Sequence, residues 1–259
     1  MNIQVLPAPE NGGIRRRAAD FVGRYVWPRS ATRPRLSQWF LLHPLVFAAW
    51  FHGRRLVWRL RGYEPHQLQL DGFVGQKALP YNLSNQWIIN RARTERLMTI
   101  VTAIPGFDAH RAKILVVGPR NEAEILLLRA HGFRGSNIEA IDLFTYCPTI
   151  KLMDMHELKH PDNTFDAVYS SFVITYSDQI PTAIAETVRV AKDQAMVIFG
   201  FQHLAPRAVN KLGVNRLQGG TKELLGLFGA HVGSVYWTGD VDQPDGSRVC
   251  TVIFQLKKS

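Results

Sequence analysis

Cysteine is scarce in this chain of 259 residues, where only Cys147 and Cys250 occur. The two positions lie far apart in sequence and form no CxxC spacing. This argues against a disulfide framework and against a cysteine-based zinc site. We therefore expect two reduced thiols, as is usual for proteins of the cytosol.

A long hydrophobic run is also lacking. The longest apolar run covers residues 39–51, and His43 and Pro44 interrupt it. It is shorter than the ~20 residues that a helix needs to cross a bilayer. The first residues do not have the charged-then-apolar layout of a signal peptide. The sequence therefore predicts a cytoplasmic location.

Acidic residues are nearly absent from the first part of the chain. Up to Gly62 there are eleven arginines, no lysine, and only Glu10 and Asp20 as acids, which gives 11 − 2 = +9 of the total net charge of +10. Four of the six tryptophans fall in the same segment. Such a basic segment attracts phosphate groups, on nucleic acid or on anionic lipid.

From Lys113 onward, short apolar runs alternate with amphipathic ones, as expected for strands and helices in turn. We predict an α/β fold: a Rossmann-like, doubly wound sheet, mostly parallel with an antiparallel C-terminal edge, plus a helical N-terminal extension. Domain boundaries are predicted at 1–104 for the extension and 105–259 for the Rossmann-like domain. The predicted strands are 114–117, 138–141, 165–169, 195–200, 231–238 and 249–256, and the predicted helices are 36–60 with a break near Pro44, 82–104 with Ser84 as N-cap, 122–131, 181–191 and 221–228.

Three of the predicted strand ends carry residues suited to ligand binding. Gly118 permits a tight turn into a helix, whose free N–H groups can bind ligand oxygens. Asp142 follows the next strand, 24 positions after Gly118, where an acid typically accepts hydrogen bonds from ribose hydroxyls. Asp154 and Met155 can accept from an adenine amino group and cover its apolar face. Each feature alone is also consistent with an ordinary turn.

Together these segments resemble the class I S-adenosylmethionine (SAM)-dependent methyltransferases, in particular a bacterial subgroup of the methyltransferase-11 type. The resemblance covers about Lys113 to Gln202. It implies the Rossmann-like fold, SAM as cofactor and methyl transfer as the reaction. The matching segments are Gly118-Pro-Arg-Asn-Glu-Ala-Glu124, Ile138-Glu-Ala-Ile-Asp-Leu143, Tyr146-Cys-Pro-Thr-Ile150, Asp154-Met-His-Glu-Leu158, Asp162-Asn-Thr-Phe-Asp-Ala-Val168 and Glu186-Thr-Val-Arg-Val190.

The first motif departs from the general class. Val116, Arg120 and Glu122 stand where the class has an acid and two further glycines. Arg120 could meet the carboxylate of SAM, and Glu122 or Glu124 its ammonium. Alternatively, the two acids only favour the start of a helix. The residues that the resemblance implies for cofactor binding are Gly118, Pro119, Arg120, Glu122, Asp142, Leu143, Asp154, Met155 and Ser170.

The acceptor side is expected over the ends of the later strands. A general base is needed there when the nucleophile is a hydroxyl. The catalytic candidates are Tyr176, after the strand that starts at Phe165, and His203, after the strand that starts near Met196. Packing of the loop is an equal explanation for Tyr176, and a surface histidine is the simpler one for His203. No metal site is predicted.

The basic extension has three interpretations. It covers the substrate side as a lid, it faces an anionic membrane, or it binds nucleic acid, which is the least favoured because no known motif is present. The sequence leaves the oligomeric state open.

The sequence also leaves three functions open. The first is methyl transfer to a small-molecule or glycan acceptor. The second is intramolecular cyclisation of SAM with release of methylthioadenosine. The third is a non-catalytic, membrane-associated SAM-binding protein.

Overall fold

The computed structural model describes residues 41–68, 79–205 and 216–258. The predictions for residues 1–40 lie outside these ranges. Nine strands occur in the described ranges. They are β1 (His66–Gln67), β2 (Ile114–Val117), β3 (Ile138–Asp142), β4 (Phe144–Thr145), β5 (Lys151–Leu152), β6 (Phe165–Ser171), β7 (Ala191–His203), β8 (Val232–Asp242) and β9 (Arg248–Leu256).

Seven of these strands form one sheet in the order β5-β3-β2-β6-β7-β9-β8. The first four pairings are parallel, and β9 runs antiparallel to both of its neighbours. The predicted doubly wound, mostly parallel sheet is thus confirmed. The antiparallel strand lies one place inside the edge, so that β8, at the edge, again runs with the parallel strands.

Six α-helices are described, and the strands alternate with them as predicted. The predicted break near Pro44 is confirmed, because residues 41 and 42 are helical, His43 interrupts the helix, and a new helix begins at Pro44. The helices are α1 (Pro44–Leu60), α2 (Leu79–Ser84), α3 (Arg91–Ala103), α4 (Glu122–Ala130), α5 (Ile180–Val190) and α6 (Gly220–Phe228). None of these described helices combines the length and apolarity that a bilayer crossing demands.

The prediction of one helix over 82–104 is wrong. Ser84 ends α2 instead of capping a helix, and its Oγ donates to the carbonyl of Tyr81 (2.8 Å). A turn then precedes α3. The carbonyls of Gln86 and Ile88 in this turn each accept a hydrogen bond from Nδ2 of Asn121 (3.0 Å). Distant side chains therefore satisfy backbone groups that a continuous helix would have paired internally.

Apolar side chains alternate between the two faces of the sheet. Leu115 and Val117 of β2 point to the face covered by α5 and α6, whereas Ile114 and Val116 point to the other face. On that second face they meet Leu97 and Val101 of α3 and Leu128 of α4. Since α3 shares a core with the sheet, we propose that the extension ends before α3, and not at residue 104.

Helix α1 packs on the outside of α4. Its Phe47 and Phe51 are fully buried against Ala123, Leu126 and Leu127. Burial of an aromatic side chain of this size is worth about 1.5–3 kcal/mol. These contacts join the described part of the basic extension firmly to the first helix after β2.

Candidate active site

The turn after β2 requires glycine at position 118. The φ angle of Gly118 is +71°, and a Cβ atom there would lie 2.1 Å from Cγ1 of Val173. Its N–H donates to the carbonyl of Ile141 in β3 (2.8 Å). The absence of a side chain thus lets the segment after β6 pack directly on the turn, where the sheet reverses its strand order.

Asp142, at the end of β3, is bound into the same turn. Its Oδ2 accepts from the N–H of Arg120 (3.1 Å), and its Oδ1 accepts from the N–H of Leu143 (2.7 Å). Burial raises the pKa of Asp142 to about 7, although these backbone donors act in the opposite direction. Each carboxylate oxygen can accept a further hydrogen bond, so the group stays available to hydroxyl donors of a ligand.

A crevice opens beside this turn. Its walls come from segment 82–94, from the turn and first part of α4 (118–124), from the segment after β6 (172–176), and from the end of β7. Within the described ranges, the part of the predicted extension that lines the crevice is segment 82–94, and α1 contributes no lining residue.

Glu122 and Glu124, the two acids at the start of α4, have different surroundings. Glu124 lines the crevice, where its Oε2 accepts from the hydroxyls of Thr94 (3.3 Å) and Tyr169 (3.5 Å). Glu122 is buried and faces α1. It accepts from Nη2 of Arg54 (2.7 Å). The geometry therefore favours Glu124 over Glu122 for contact with a ligand.

Two further donors complete the environment of the Glu122 carboxylate. Nε1 of Trp58 donates to Oε2 (2.8 Å), and the hydroxyl of Thr149 donates to Oε1 (2.7 Å). A buried carboxylate with this many donors is a structural anchor for α1. Glu122 is not among the residues that line the crevice. We therefore propose no cofactor contact for Glu122, although the sequence-based prediction included it.

Asp154 is joined to a chain of hydrogen bonds. Its Oδ1 lies 2.6 Å from Nδ1 of His156 and accepts from the backbone N–H of that histidine (2.9 Å). Nε2 of His156 lies 2.6 Å from Oγ of Ser177. The hydrogen bond to Asp154 raises the pKa of His156, and the same bond lowers the pKa of Asp154. Asp154 is therefore held ionised, while Met155 beside it packs against the core.

Three further predicted residues, Tyr176, Ser170 and His203, lie in different surroundings. Tyr176 lines the crevice, and burial raises its pKa. Ser170 is buried at the end of β6, and its Oγ has no hydrogen-bond partner among the described residues. His203 is buried outside the crevice lining, with Nε2 2.6 Å from the carbonyl oxygen of Leu217. The structure therefore separates Tyr176 and His203, the two predicted catalytic side chains.

The crevice residues that were not predicted from the sequence include Arg93 on α3, Phe172 after β6, and Gln202 near the end of β7. Nη2 of Arg93 donates to Oε1 of Gln202 (2.5 Å), and the guanidinium carbon lies 4.5 Å from the ring centroid of Phe172. One signal was present, namely Gly200 within the apolar run of β7. A Cβ at Gly200 would lie 2.5 Å from the Phe172 ring.

Parts of the chain are similar in sequence to known methyltransferases. Residues 128–199 match the family model described as "Methyltransferase domain". A malonyl-[acyl-carrier protein] O-methyltransferase of Halorhodospira halophila (strain DSM 244 / SL1) is 33% identical over 52 residues, which is 20% of this chain. The aligned part spans 18% of the length of that curated relative.

Solved structures share the fold at low sequence identity. The N-methyltransferase NodS from Bradyrhizobium japonicum WM9, in complex with S-adenosyl-L-homocysteine (SAH), is 15% identical with a TM-score of 0.50, over 65% of this chain and 87% of that one. An assigned SAM-dependent methyltransferase from Methanococcus maripaludis is 13% identical with a TM-score of 0.50, over 75% of this chain and 98% of that one.

The strand order is that of the Rossmann-like fold that these solved methyltransferases share, and residues 128–199 match the model of a methyltransferase domain. Within this chain the matched family segment runs from α4 to β7.

Proposed function

We propose that this chain is a SAM-dependent methyltransferase that acts on a small-molecule or glycan acceptor. The observation that carries the proposal is the turn at the switch point of the sheet. There the N–H of Gly118 donates to the carbonyl of Ile141, and the N–H of Arg120 donates to the carboxylate of Asp142, at the carboxyl ends of β2 and β3. Ligands of open parallel sheets bind in this position.

The adenosine half of SAM is assigned to the ends of β3 and β5. Asp142 accepts from the ribose hydroxyls, and Leu143 and Pro119 flank the sugar. Asp154 accepts from the adenine amino group, because the hydrogen bond from His156 holds its carboxylate ionised. Met155 covers the adenine ring.

The methionine half is assigned to the crevice. Arg120 pairs with the carboxylate, and Glu124 with the ammonium. Both side chains line the crevice, and Glu124 is held in place by Thr94 and Tyr169. Ser170 pairs with Val117 just before the turn, and its buried hydroxyl has no hydrogen-bond partner among the described residues. A bound ligand or water would satisfy this hydroxyl.

Methyl transfer from SAM needs few catalytic groups from the protein. The sulfonium of SAM is a good leaving group, so the enzyme has to align the nucleophile with the methyl carbon and exclude water. The raised pKa keeps Tyr176 protonated at neutral pH. We therefore assign to its hydroxyl the orientation of the acceptor, and assign no general base.

Calorimetry with SAH tests the proposal. We expect wild-type protein to bind SAH and Asp142→Ala to bind it at least tenfold more weakly, since hydrogen bonds to a charged group are worth about 1.5–3 kcal/mol. Asp162→Ala is the matched control, because Asp162 is exposed and pairs with Arg189 outside the crevice. Equal SAH affinity of the wild type and Asp142→Ala would sink the ribose assignment.

Product analysis with SAM separates the reactions. Formation of SAH shows methyl transfer, whereas methylthioadenosine shows cyclisation of SAM. Binding without either product, over a panel of amine, hydroxyl and sugar acceptors, would favour a non-catalytic role.

We infer a second contact surface on α1. Leu45, Leu56 and Leu60 are 76%, 58% and 78% exposed, and their spacing places them on one side of the helix. The exposed Arg59 and Arg61 lie beside them, within a segment of net charge +9. Exposed leucines flanked by arginines suit an anionic membrane surface.

A further inference from the structure

The crevice extends beyond the space assigned to the cofactor. If adenosine lies over β3 and β5 and the methionine half of SAM lies at Arg120, as proposed, the part of the crevice left for the acceptor lies toward β6 and β7. The crevice wall on that side consists of Phe172, Val173, Thr175 and Tyr176 after β6, together with Gln202 of β7. The acceptor therefore has to bind against this wall.

Arg93 is the charged side chain on that side. It reaches over from α3 to donate to Gln202 (2.5 Å), and its guanidinium stacks over Phe172. None of the ion pairs among the described residues includes Arg93. Burial lowers the pKa of Arg93 and Arg120 nearby lowers it further, whereas the carboxylate of Glu124 acts in the opposite direction.

A half-buried guanidinium that has no ion-pair partner, as is the case for Arg93 among the described residues, costs free energy. Two residues keep it in place: Gln202 occupies one N–H group, and Phe172 supports one face of the guanidinium plane. The other N–H groups are left for a ligand, and their planar arrangement matches carboxylate and phosphate oxygens.

We propose that Arg93 binds an anionic group, a carboxylate or a phosphate, on the methyl acceptor. Phe172 and Tyr176 then flank the part of the acceptor that carries this group. This inference rests on the proposed function, and it narrows the acceptor to an anionic small molecule. It also assigns different anions to the two arginines: Arg120 takes the carboxylate of SAM, and Arg93 that of the acceptor.

The test uses small anions as probes, since they need not be the natural acceptor. Benzoate, phenyl phosphate and the neutral benzyl alcohol are titrated into wild-type protein saturated with SAH, and into SAH-free protein, with binding followed by NMR. We expect at least one anion to bind the SAH complex and benzyl alcohol to bind at least tenfold more weakly. Preference for benzoate or for phenyl phosphate identifies the source of the anion as a carboxylate or a phosphate.

Substitutions of Arg93 test whether this side chain binds the anions. Arg93→Met should weaken anion binding at least tenfold and leave SAH affinity within twofold of wild type. Arg93→Gln serves as a second variant in case the first does not fold. Arg111→Met is the matched control, because the Arg111 side chain is 89% exposed. Arg111 precedes β2, at the amino ends of the parallel strands, whereas the crevice lies at their carboxyl ends. Arg111→Met should change neither affinity.

Three results would overturn the proposal. The first is that no anion binds wild-type protein. The second is that the anions bind the Arg93 variants as well as they bind the wild type. The third is that the anions bind only SAH-free protein while Arg93→Met weakens the affinity for SAH at least tenfold. The last result would make Arg93 a cofactor residue. Failure of the proposed function looks different: SAH does not bind wild-type protein, while the anions still bind through Arg93.

Discussion

Gly118 and Gly53 show how differently a glycine can act in this chain. Gly118 adopts a left-handed φ of +71° and lies against Val173, so an added Cβ has no room. Gly53 is exposed in the middle of α1, and an added Cβ would meet no atom within 4 Å. The first glycine is required by the turn, whereas the second only weakens its helix.

Alanine substitutions should therefore have opposite effects on stability. Gly118→Ala is expected to cost about 1–3 kcal/mol through overpacking and backbone strain, and to weaken SAH binding because the turn has to shift. Gly53→Ala is expected to gain about 0.5–1 kcal/mol. Urea denaturation measures both changes. A tolerated Gly118→Ala with wild-type SAH affinity would contradict the described turn.

Asp142 predicts a distinctive dependence on pH. Its pKa is about 7 in the fold and ordinary when the chain unfolds, so the folded state holds more protons between about pH 4 and 7. This residue's contribution to stability is therefore fully present at low pH and is lost as the pH rises through 7. Asp142→Asn cannot ionise and lacks this loss.

The comparison of melting temperatures checks the sign. The difference, Asp142→Asn minus wild type, should become more positive from pH 5 to pH 8. The affinity of the wild type for SAH should rise over about pH 6–8, because the ionised carboxylate accepts better from ribose hydroxyls. A melting-temperature difference that is constant with pH would show that Asp142 is not the buried acid described here.

At this scale the sequence predicts residues that lie next to strand ends. Gly118, Asp142 and Asp154 could be placed because a strand, a turn and a spacing locate them within one segment. Arg93 could not, since its role depends on the packing of α3 beside the end of β7, 109 positions away in the chain. The surroundings of Glu122 could not be predicted for the same reason, because its partner Arg54 belongs to a distant helix.

At the scale of the elements, α1 has a specific anchor. Its buried Phe47 and Phe51 give apolar contact with α4, and Arg54 and Trp58 direct three N–H donors at the Glu122 carboxylate. Apolar contact alone leaves the register of a helix loosely defined, whereas a buried carboxylate accepts donors only in a limited range of positions. The anchor thus fixes the orientation of α1 on the domain.

A double-mutant cycle tests this anchor. Arg54→Met should destabilise the protein by about 1.5–3 kcal/mol, as expected for a hydrogen bond to a charged group. The cost should shrink in the background of Glu122→Gln, which removes the charge that Arg54 meets. Arg59→Met, at an exposed position of the same helix, should change stability by less than ~0.5 kcal/mol. Additive effects of Arg54→Met and Glu122→Gln would exclude the proposed anchor.

The element pattern was predictable where hydrophobic periodicity is strong. All six predicted strands are present, and the helices of the second half were found within a few residues of their bounds. The boundary at 104 and the single helix over 82–104 depended on local signals. A nonlocal contact decided against the single helix, because Asn121 pairs with the turn before α3. Leu97 of α3 packs with Ile114 of β2, and on this ground we propose a boundary before α3.

At the scale of the whole molecule, the basic charge and the exposed leucines of α1 predict binding to anionic membranes. Vesicles of phosphatidylcholine with phosphatidylglycerol should bind the full chain, and vesicles of phosphatidylcholine alone should bind it much less. Leu56→Glu with Leu60→Glu should abolish the interaction without loss of SAH affinity, because both leucines are exposed and outside the crevice. Equal flotation of the wild type and this variant would exclude α1 as the contact surface.

The most direct test of the account is a crystal structure of the full chain with SAH. We expect the ribose hydroxyls within hydrogen-bond distance of Asp142, the adenine at Asp154 and Met155, and the methionine carboxylate at Arg120. The crevice wall at Phe172 and Arg93 should remain open for an acceptor. SAH bound elsewhere, or bound with Asp142 still contacting only its own backbone, would contradict the central claim.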